Sequence, residues 1–280
     1  MKIRDFRDHF ISELSRVLEP DEATSIFNIV LKAKTGMDRS QLALSPQMEF
    51  TLAELAEWKE ILARLIKLEP VQYVLGESWF FGRRFEVCGD VLIPRPETEE
   101  LVQWILASVK PGDRLLDIGT GSGCIAISLA LEKPVEASAL DVSAEALRIA
   151  RQNASALGAN VNFIHADILS FESPEKYEVI VSNPPYVRHL EKAEISDNVL
   201  RYEPHLALFV EDDDALLFYR AIANFAKKSL SPGGQLFFEI NQYLSGETSA
   251  LLREMGFENV EVRNDIYQNP RMIRAVRPYS

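Results

Sequence analysis

Cysteine is almost missing from this chain: only Cys88 and Cys124 occur in 280 residues. Their spacing matches no metal motif, and two lone thiols suit a reducing cytoplasm rather than a disulfide framework. Histidine is sparse too, and His9, His165, His189 and His205 do not cluster, so no metal is expected. No apolar run approaches the length of a membrane span. The opening residues, Met1 to Asp8, are charged and hold no apolar signal core, so a cytoplasmic protein with no membrane partner is expected. Positive charge is short as well: 30 Lys and Arg against 42 Asp and Glu leave a net charge of −12. Affinity for nucleic acid draws largely on phosphate neutralisation by Lys and Arg, so stable nucleic-acid binding is not expected. Internal repeats, low-complexity tracts and a dimerisation stripe are lacking too, which leaves a monomer as the default expectation.

What remains is the composition of an ordinary globular chain, 47% hydrophobic and 26% charged, long enough for one large or two modest domains. Residues 1–70 carry helical spacing throughout. Ile3, Phe6, Phe10, Leu14, Val17 and Leu18 define one helix, Asp21–Lys34 a second between Pro20 and Gly36, and Thr51–Leu68 a third. A small N-terminal helical bundle is expected, serving either as a stabilising cap or as a substrate-recognition domain. Residues 71–95 change character: Trp79 to Val87 gather aromatic and β-branched residues around Gly82, which predicts a linking β-hairpin. Trp79, Phe80 and Phe81 there suit either packing between domains or a docking surface.

Residues 96–280 alternate. Strands are expected at Arg114–Ile118, Glu136–Val142, Val161–Asp167, Tyr177–Ser182, Gln235–Ile240, Val260–Arg263 and Met272–Val276. Helices are expected at Cys124–Leu131, Ala144–Leu157, Ala215–Leu230 and Thr248–Met255. This is the pattern of an α/β fold with a doubly wound, mostly parallel seven-stranded sheet. Too few residues join the last two strands for a parallel crossover, so the final strand should run antiparallel.

Asn183-Pro184-Pro185-Tyr186 follows the fourth of these strands and is the most specific local signal. Open α/β sheets bind ligands at the carboxyl ends of their strands. Proline brings no backbone N–H and pushes the residue before it toward an extended conformation. The segment therefore presents carbonyl oxygens with few local donors, the acceptor of Asn183 and the flat face of Tyr186. A planar group with an NH2 whose hydrogens both need acceptors fits such a pocket: a primary amide or the amino group of adenine.

A second constellation precedes it. Asp117, Gly119, Thr120, Gly121, Ser122 and Gly123 follow the first strand and open a helix, where glycines let the backbone approach a ligand closely. Asp141 ends the second strand and is placed to accept both hydroxyls of a ribose, with Val142 against an adenine face. Asp167 ends the third strand and is placed to accept from an adenine amino group, with Ile168 against the ring. Asp117 lies near the place of a cofactor's cationic centre. Any one of these acids taken alone reads equally as a helix or turn cap; together, at successive strand ends, they predict a cofactor site.

Asp117–Gly123 with Asp141 resembles the cofactor site of class I S-adenosylmethionine-dependent methyltransferases, which are Rossmann-like, and Asn183–Tyr186 resembles the amino-group methyltransferases among them. Pro70–Gly76, Leu92–Glu99 and Glu203-Pro204 narrow the resemblance to the peptide chain release factor glutamine N5-methyltransferase family, over nearly the whole chain. That resemblance implies S-adenosylmethionine as cofactor, touched by Gly119 to Gly123, Asp141 and Asn183. It implies class 1 release factors as partners, with Asn183, Pro184, Pro185 and Tyr186 binding the glutamine of their Gly-Gly-Gln motif. Ile168 stands where some relatives carry an aromatic residue. Asn241, in Glu239–Tyr243, and Gln268 stand where glycine is common, and both departures are expected to lie away from Asn183–Tyr186.

The expected chemistry is an in-line displacement. Asn183 Oδ1 and the Pro184 carbonyl accept the two amide hydrogens, Tyr186 stacks on the amide plane, and no strong base is required. Arg188–Tyr202 suits a lid or an ordinary surface loop, and Glu211–Asp214 suits the favourable start of a helix. Competing readings are a nucleic-acid amino-group methyltransferase, a ribosomal-protein glutamine methyltransferase, and a cofactor-binding module without catalysis.

Overall fold

The computed structural model describes residues 1–279. The chain begins with α1 (Ile3–Leu14), α2 (Pro20–Thr35), α3 (Arg39–Leu44), α4 (Leu52–Leu65) and α5 (Val71–Leu75), then a hairpin of β1 (Glu77–Phe80) and β2 (Arg83–Glu86), and α6 (Pro96–Leu106). There follow β3 (Arg114–Ile118), α7 (Cys124–Glu132), β4 (Glu136–Asp141), α8 (Ala144–Leu157), β5 (Val161–His165) and β6 (Tyr177–Ser182). Short elements come next: β7 (Val187–Arg188), α9 (Asp197–Tyr202), α10 (His205–Leu208) and β8 (Phe209–Val210). The chain closes with α11 (Leu217–Ser229), β9 (Leu230–Glu239), α12 (Ser245–Glu254), β10 (Glu258–Asn264) and β11 (Pro270–Val276). No helix among the described residues is long and apolar enough to cross a membrane.

Two compact units emerge, Met1–Glu77 with Ser196–Tyr202, and Ser78–Ile195 with Glu203–Ser280. The helical unit is built on aromatic edges. Phe6, Phe10 and Phe27 are fully buried around Trp58, with centroid separations of 6.2, 6.2 and 5.6 Å. Reciprocal caps start two of its helices, Asp38 with Gln41 and Thr51 with Glu54. The expected boundary at residue 70 falls at Glu77 instead, because Val71 and Val74 of α5 pack into the helical core. Ser196–Tyr202 also belongs here, and the Tyr202 hydroxyl donates to the Lys67 carbonyl at 2.9 Å.

The second unit holds a seven-stranded sheet in the order β10-β11-β9-β6-β3-β4-β5. β5, β4, β3, β6 and β9 are parallel, and β11 runs antiparallel between β9 and β10. Strands buried on both faces read as continuous apolar runs, which is why β3 and β6 are so plain in sequence. One apolar layer unites the sheet with α6, α7 and α8; the other unites it with α11 and α12. Phe80 is buried in the first layer while Trp79 is exposed. α6 was not expected: Pro96 starts it and Glu97 and Glu99 occupy its first turn, which favours a helix N-terminus. Arg188–Tyr202 is structured rather than an open loop, with Glu191 buried. In the acidic run, Asp214 pairs with Arg220 and Asp212 accepts from the Leu190 amide. Gln268 sits at φ +67° in the turn between β10 and β11, a conformation that suits glycine better.

Candidate active site

The order of the central strands places a topological switch between β3 and β6, whose connections leave on opposite sides. The Ser182 hydroxyl crosses that switch and donates to the Ile118 carbonyl at 2.7 Å. A cavity of about 360 Å³ opens at the carboxyl ends of these strands, a size suited to a small-molecule cofactor. Gly119, Thr120, Gly121, Ser122, Asp141, Val142, Asp167, Ile168, Asn183, Pro184 and Pro185, all named from the sequence, line it.

Three of the sequence-selected residues stand outside the cavity wall. Gly123 supports the loop from behind, at φ +83°. Asp117 is fully buried; its Oδ2 accepts from the Thr120 hydroxyl at 2.6 Å and from the Ala126 amide at 3.3 Å, while Oδ1 has no partner. Tyr186 turns its hydroxyl to Glu239 Oε1 at 3.1 Å.

The glycine loop is shaped by β4. Gly119 and Thr120 amides donate to the Leu140 carbonyl at 2.8 and 3.1 Å. Asp141 accepts the Gly121 amide at Oδ2 and the Ser143 amide at Oδ1, both at 2.9 Å. One lone pair on each oxygen remains for a ligand hydroxyl. Asn153 on α8 locks the loop from behind: Nδ2 donates to the Ser122 carbonyl at 2.9 Å and the Glu86 carbonyl at 3.0 Å, and Oδ1 accepts from the Glu86 amide at 2.7 Å.

The tetrapeptide differs from its surroundings in what it leaves free. Among the described residues, none donates to the Asn183 carboxamide or to the Asn183 and Pro184 carbonyls. These acceptors stand at a cavity edge, where a ligand N–H would satisfy them.

Burial dominates the electrostatics. It pushes the Asp117 carboxyl up to about 7 against the hydrogen bonds of Thr120 and Ala126, and the Asp141 charge raises it further. Burial likewise raises Asp141, against the Ser143 and Gly121 amides. It raises Glu239 against the Thr98 hydroxyl and the nearby Arg271. The Cys124 thiol is pushed up to about 12 by burial and by Asp117, and is chemically quiet. An uncompensated acid behind the loop and free acceptors at the rim suit a cofactor that carries positive charge and hydroxyls.

Sequence reasoning missed the residues that frame the site. Asn241 was expected away from Asn183–Tyr186, yet its Nδ2 donates to the Tyr186 carbonyl at 3.0 Å; Glu239, given no role from the sequence, accepts from the Tyr186 hydroxyl. β9 is the parallel neighbour of β6, with Phe238 opposite Ser182, so the two strands deliver their carboxyl ends side by side. Glu203 accepts from Arg95 at 2.6 Å and ties the two motifs that carried the family resemblance.

Residues 97–205 match the model of the Methyltransferase small domain family, and residues 7–76 that of the PrmC N-terminal domain. A release factor glutamine methyltransferase of Flavobacterium psychrophilum is 49% identical over 98% of this chain and 99% of its own length. One from Bacteroides thetaiotaomicron is 42% identical over 94% of this chain and 96% of its own. Among solved structures, a methyltransferase from Pyrococcus furiosus covers 79% of this chain and 99% of its own at a TM-score of 0.55 and 16% identity, a likeness of fold.

Proposed function

The chain belongs to the release factor glutamine methyltransferase family, and from that premise we propose how its own residues direct a methyl group to the side-chain amide nitrogen of a glutamine. It is an S-adenosylmethionine-dependent protein-glutamine N-methyltransferase acting on peptide chain release factors. The glutamine we assign is that of the Gly-Gly-Gln motif of class 1 factors.

S-adenosylmethionine, when bound, supplies an electrophilic methyl group on a sulfonium centre. The cavity residues suit it. Asp141 would accept the ribose hydroxyls with the lone pairs that the Gly121 and Ser143 amides leave open. Val142 and Ile168 would flank the adenine and Asp167 would accept from its amino group, all three lining the cavity. Asp117 would act from behind Thr120, as a buried carboxyl with one oxygen unpaired whose ionised form a cationic ligand would favour.

The observation that carries the reading is the set of unpartnered acceptors on Asn183 and Pro184. An amide nitrogen is a poor nucleophile because its lone pair is delocalised into the carbonyl. Accepting one N–H at Asn183 Oδ1 and the other at the Pro184 carbonyl raises electron density on nitrogen and aims it at the methyl carbon. The same acceptors would stabilise the positive charge that develops on nitrogen as the N–C bond forms and the methyl–sulfur bond breaks, with the neutral thioether of S-adenosylhomocysteine as leaving group. The N-methylated cation then releases its proton readily, so no dedicated base is needed.

The test is a methylation assay with purified class 1 release factors and S-adenosylmethionine, read by peptide mass spectrometry. One added methyl on the Gly-Gly-Gln glutamine, absent with Asn183→Ala, is the expected result. An unmodified glutamine from a folded, cofactor-binding enzyme would reject the assigned substrate.

A further inference from the structure

We propose that Glu239 and Asn241 are positioning residues that hold Tyr186 at its two ends and thereby fix the Asn183 and Pro184 acceptors. The inference rests on the reading of those acceptors as the amide site and adds the device that aligns them.

The ends of the tetrapeptide are tied and its middle is not. On the amino-terminal side the Ser182 hydroxyl is anchored on the Ile118 carbonyl. On the other side Tyr186 is gripped twice. Its hydroxyl donates to Glu239 Oε1 at 3.1 Å, and its carbonyl accepts from Asn241 Nδ2 at 3.0 Å. Between the anchors lie Asn183, Pro184 and Pro185, and the two prolines fix φ at their own positions. Few soft torsions remain, so the position of Tyr186 sets the direction of the free carbonyls.

The grip is itself supported. The other oxygen of Glu239 accepts from the Thr98 hydroxyl at 2.6 Å, and its residue is 2% exposed. A carboxylate held on both oxygens has little rotational freedom. Asn241 is 5% exposed and uses both ends of its amide. Oδ1 accepts from the Tyr243 amide at 2.9 Å, which leaves Nδ2 to donate to Tyr186 and to Glu191 Oε2 at 3.0 Å. Glu191 is fixed in turn by the Arg188 amide and guanidinium, both at 2.8 Å. Tyr219 secures the stem: its hydroxyl donates to the Glu239 carbonyl and accepts from the Asn241 amide, each at 3.3 Å. Glycine at position 241 would remove the donor to Tyr186 and the tie to Glu191 together.

A positioning role predicts a loss of turnover without a loss of cofactor. Glu239→Leu and Tyr186→Phe should each lower kcat by about 10²-fold, the order expected for an ångström of misplacement. Asn241→Gly should lower it by about tenfold, and the calorimetric Kd for S-adenosylmethionine should stay within about twofold in all of these. Glu239→Gln, which still accepts from the Tyr186 hydroxyl, should recover most of the loss. The double variant Glu239→Leu/Tyr186→Phe should be no worse than either single one, because both break the same hydrogen bond. Losses that multiply in the double variant, or that track cofactor affinity, would overturn the proposal. Should Glu239→Leu not fold, Asn241→Gly and Tyr186→Phe carry the test alone, and normal kcat in both rejects it. Asn183→Ala separates the two levels: full activity there sinks the amide-site reading itself, whereas an inactive Asn183→Ala beside normal Tyr186 and Asn241 variants sinks only the positioning role.

Discussion

Arg95 and Glu203 stand 108 residues apart in sequence and meet at 2.6 Å, the guanidinium donating to a carboxylate that is almost wholly buried. The second Glu203 oxygen accepts from the Ile93 amide at 3.3 Å. One side chain thus closes two loops, each of which contributes residues to the cavity wall.

Glu203→Ala strips the buried Ile93 amide of its acceptor and Arg95 of its counter-charge. Arg95 is about a third exposed, so water screens part of the loss. A cost of about 2 kcal/mol follows, or a thermal midpoint lower by about 4–8 °C. Glu203→Gln, which can still accept from Ile93, should lose less. Equal midpoints for wild type and alanine variant in a thermal scan would contradict the closure.

Asn183→Ala removes one of two amide acceptors and leaves the cavity otherwise intact. Turnover should fall by a factor of about 10²–10³, in line with the loss of one charge-stabilising contact. The release-factor methylation rate under saturating cofactor is the measurement, with circular dichroism as the control for folding. A variant of normal rate would remove Asn183 from the chemistry.

Asp117 makes the stability of the cofactor-free chain depend on pH. Its carboxyl titrates at about 7 when folded, against an ordinary value of 3.8. Between those values the unfolded chain binds fewer protons, so stability falls as pH rises through the window. At 1.36 kcal/mol per unit the loss approaches about 4 kcal/mol. Asp117→Asn abolishes this titration while keeping an oxygen for Thr120 and Ala126. Urea midpoints from pH 4 to 8 should fall in wild type relative to the variant; parallel curves would refute the assignment.

Gly123 occupies φ +83°, and a Cβ there would lie 2.8 Å from Ile127 Cδ1 and 3.1 Å from Ala150 Cβ. The isoleucine tip can rotate away, but the alanine methyl cannot. Gly123→Ala should cost about 1–3 kcal/mol through strain. It should also tilt the loop of Gly119 to Ser122, weakening S-adenosylmethionine binding by about tenfold, read by calorimetry. An unchanged Kd would exclude the loop from the cofactor site.

The legible parts of the molecule were those whose causes are local. β3, β6 and α8 are bounded as read, because burial on both faces or helical spacing writes itself into consecutive residues. α6 was hidden because Pro96 to Glu99 reads as a motif before it reads as a helix start. β9 begins at Leu230, through Pro232, Gly233 and Gly234, which in sequence look like a turn. At the site, the glycine loop and Asn183–Tyr186 were visible as contiguous signatures. The links from Ser182 to Ile118, Arg95 to Glu203 and Tyr186 to Glu239 were not, since each joins residues far apart in sequence that only the tertiary fold makes neighbours.

Ser196–Tyr202 leaves the catalytic unit's stretch of chain to fold with the helices, so the polypeptide passes from one unit to the other at 77–78, 195–196 and 202–203. Recombination at any single point would split one unit or the other. The helical unit is therefore not a cassette that a gene could acquire or discard in one event. Its replacement takes two matched exchanges, one over residues 1–77 and one over residues 196–202.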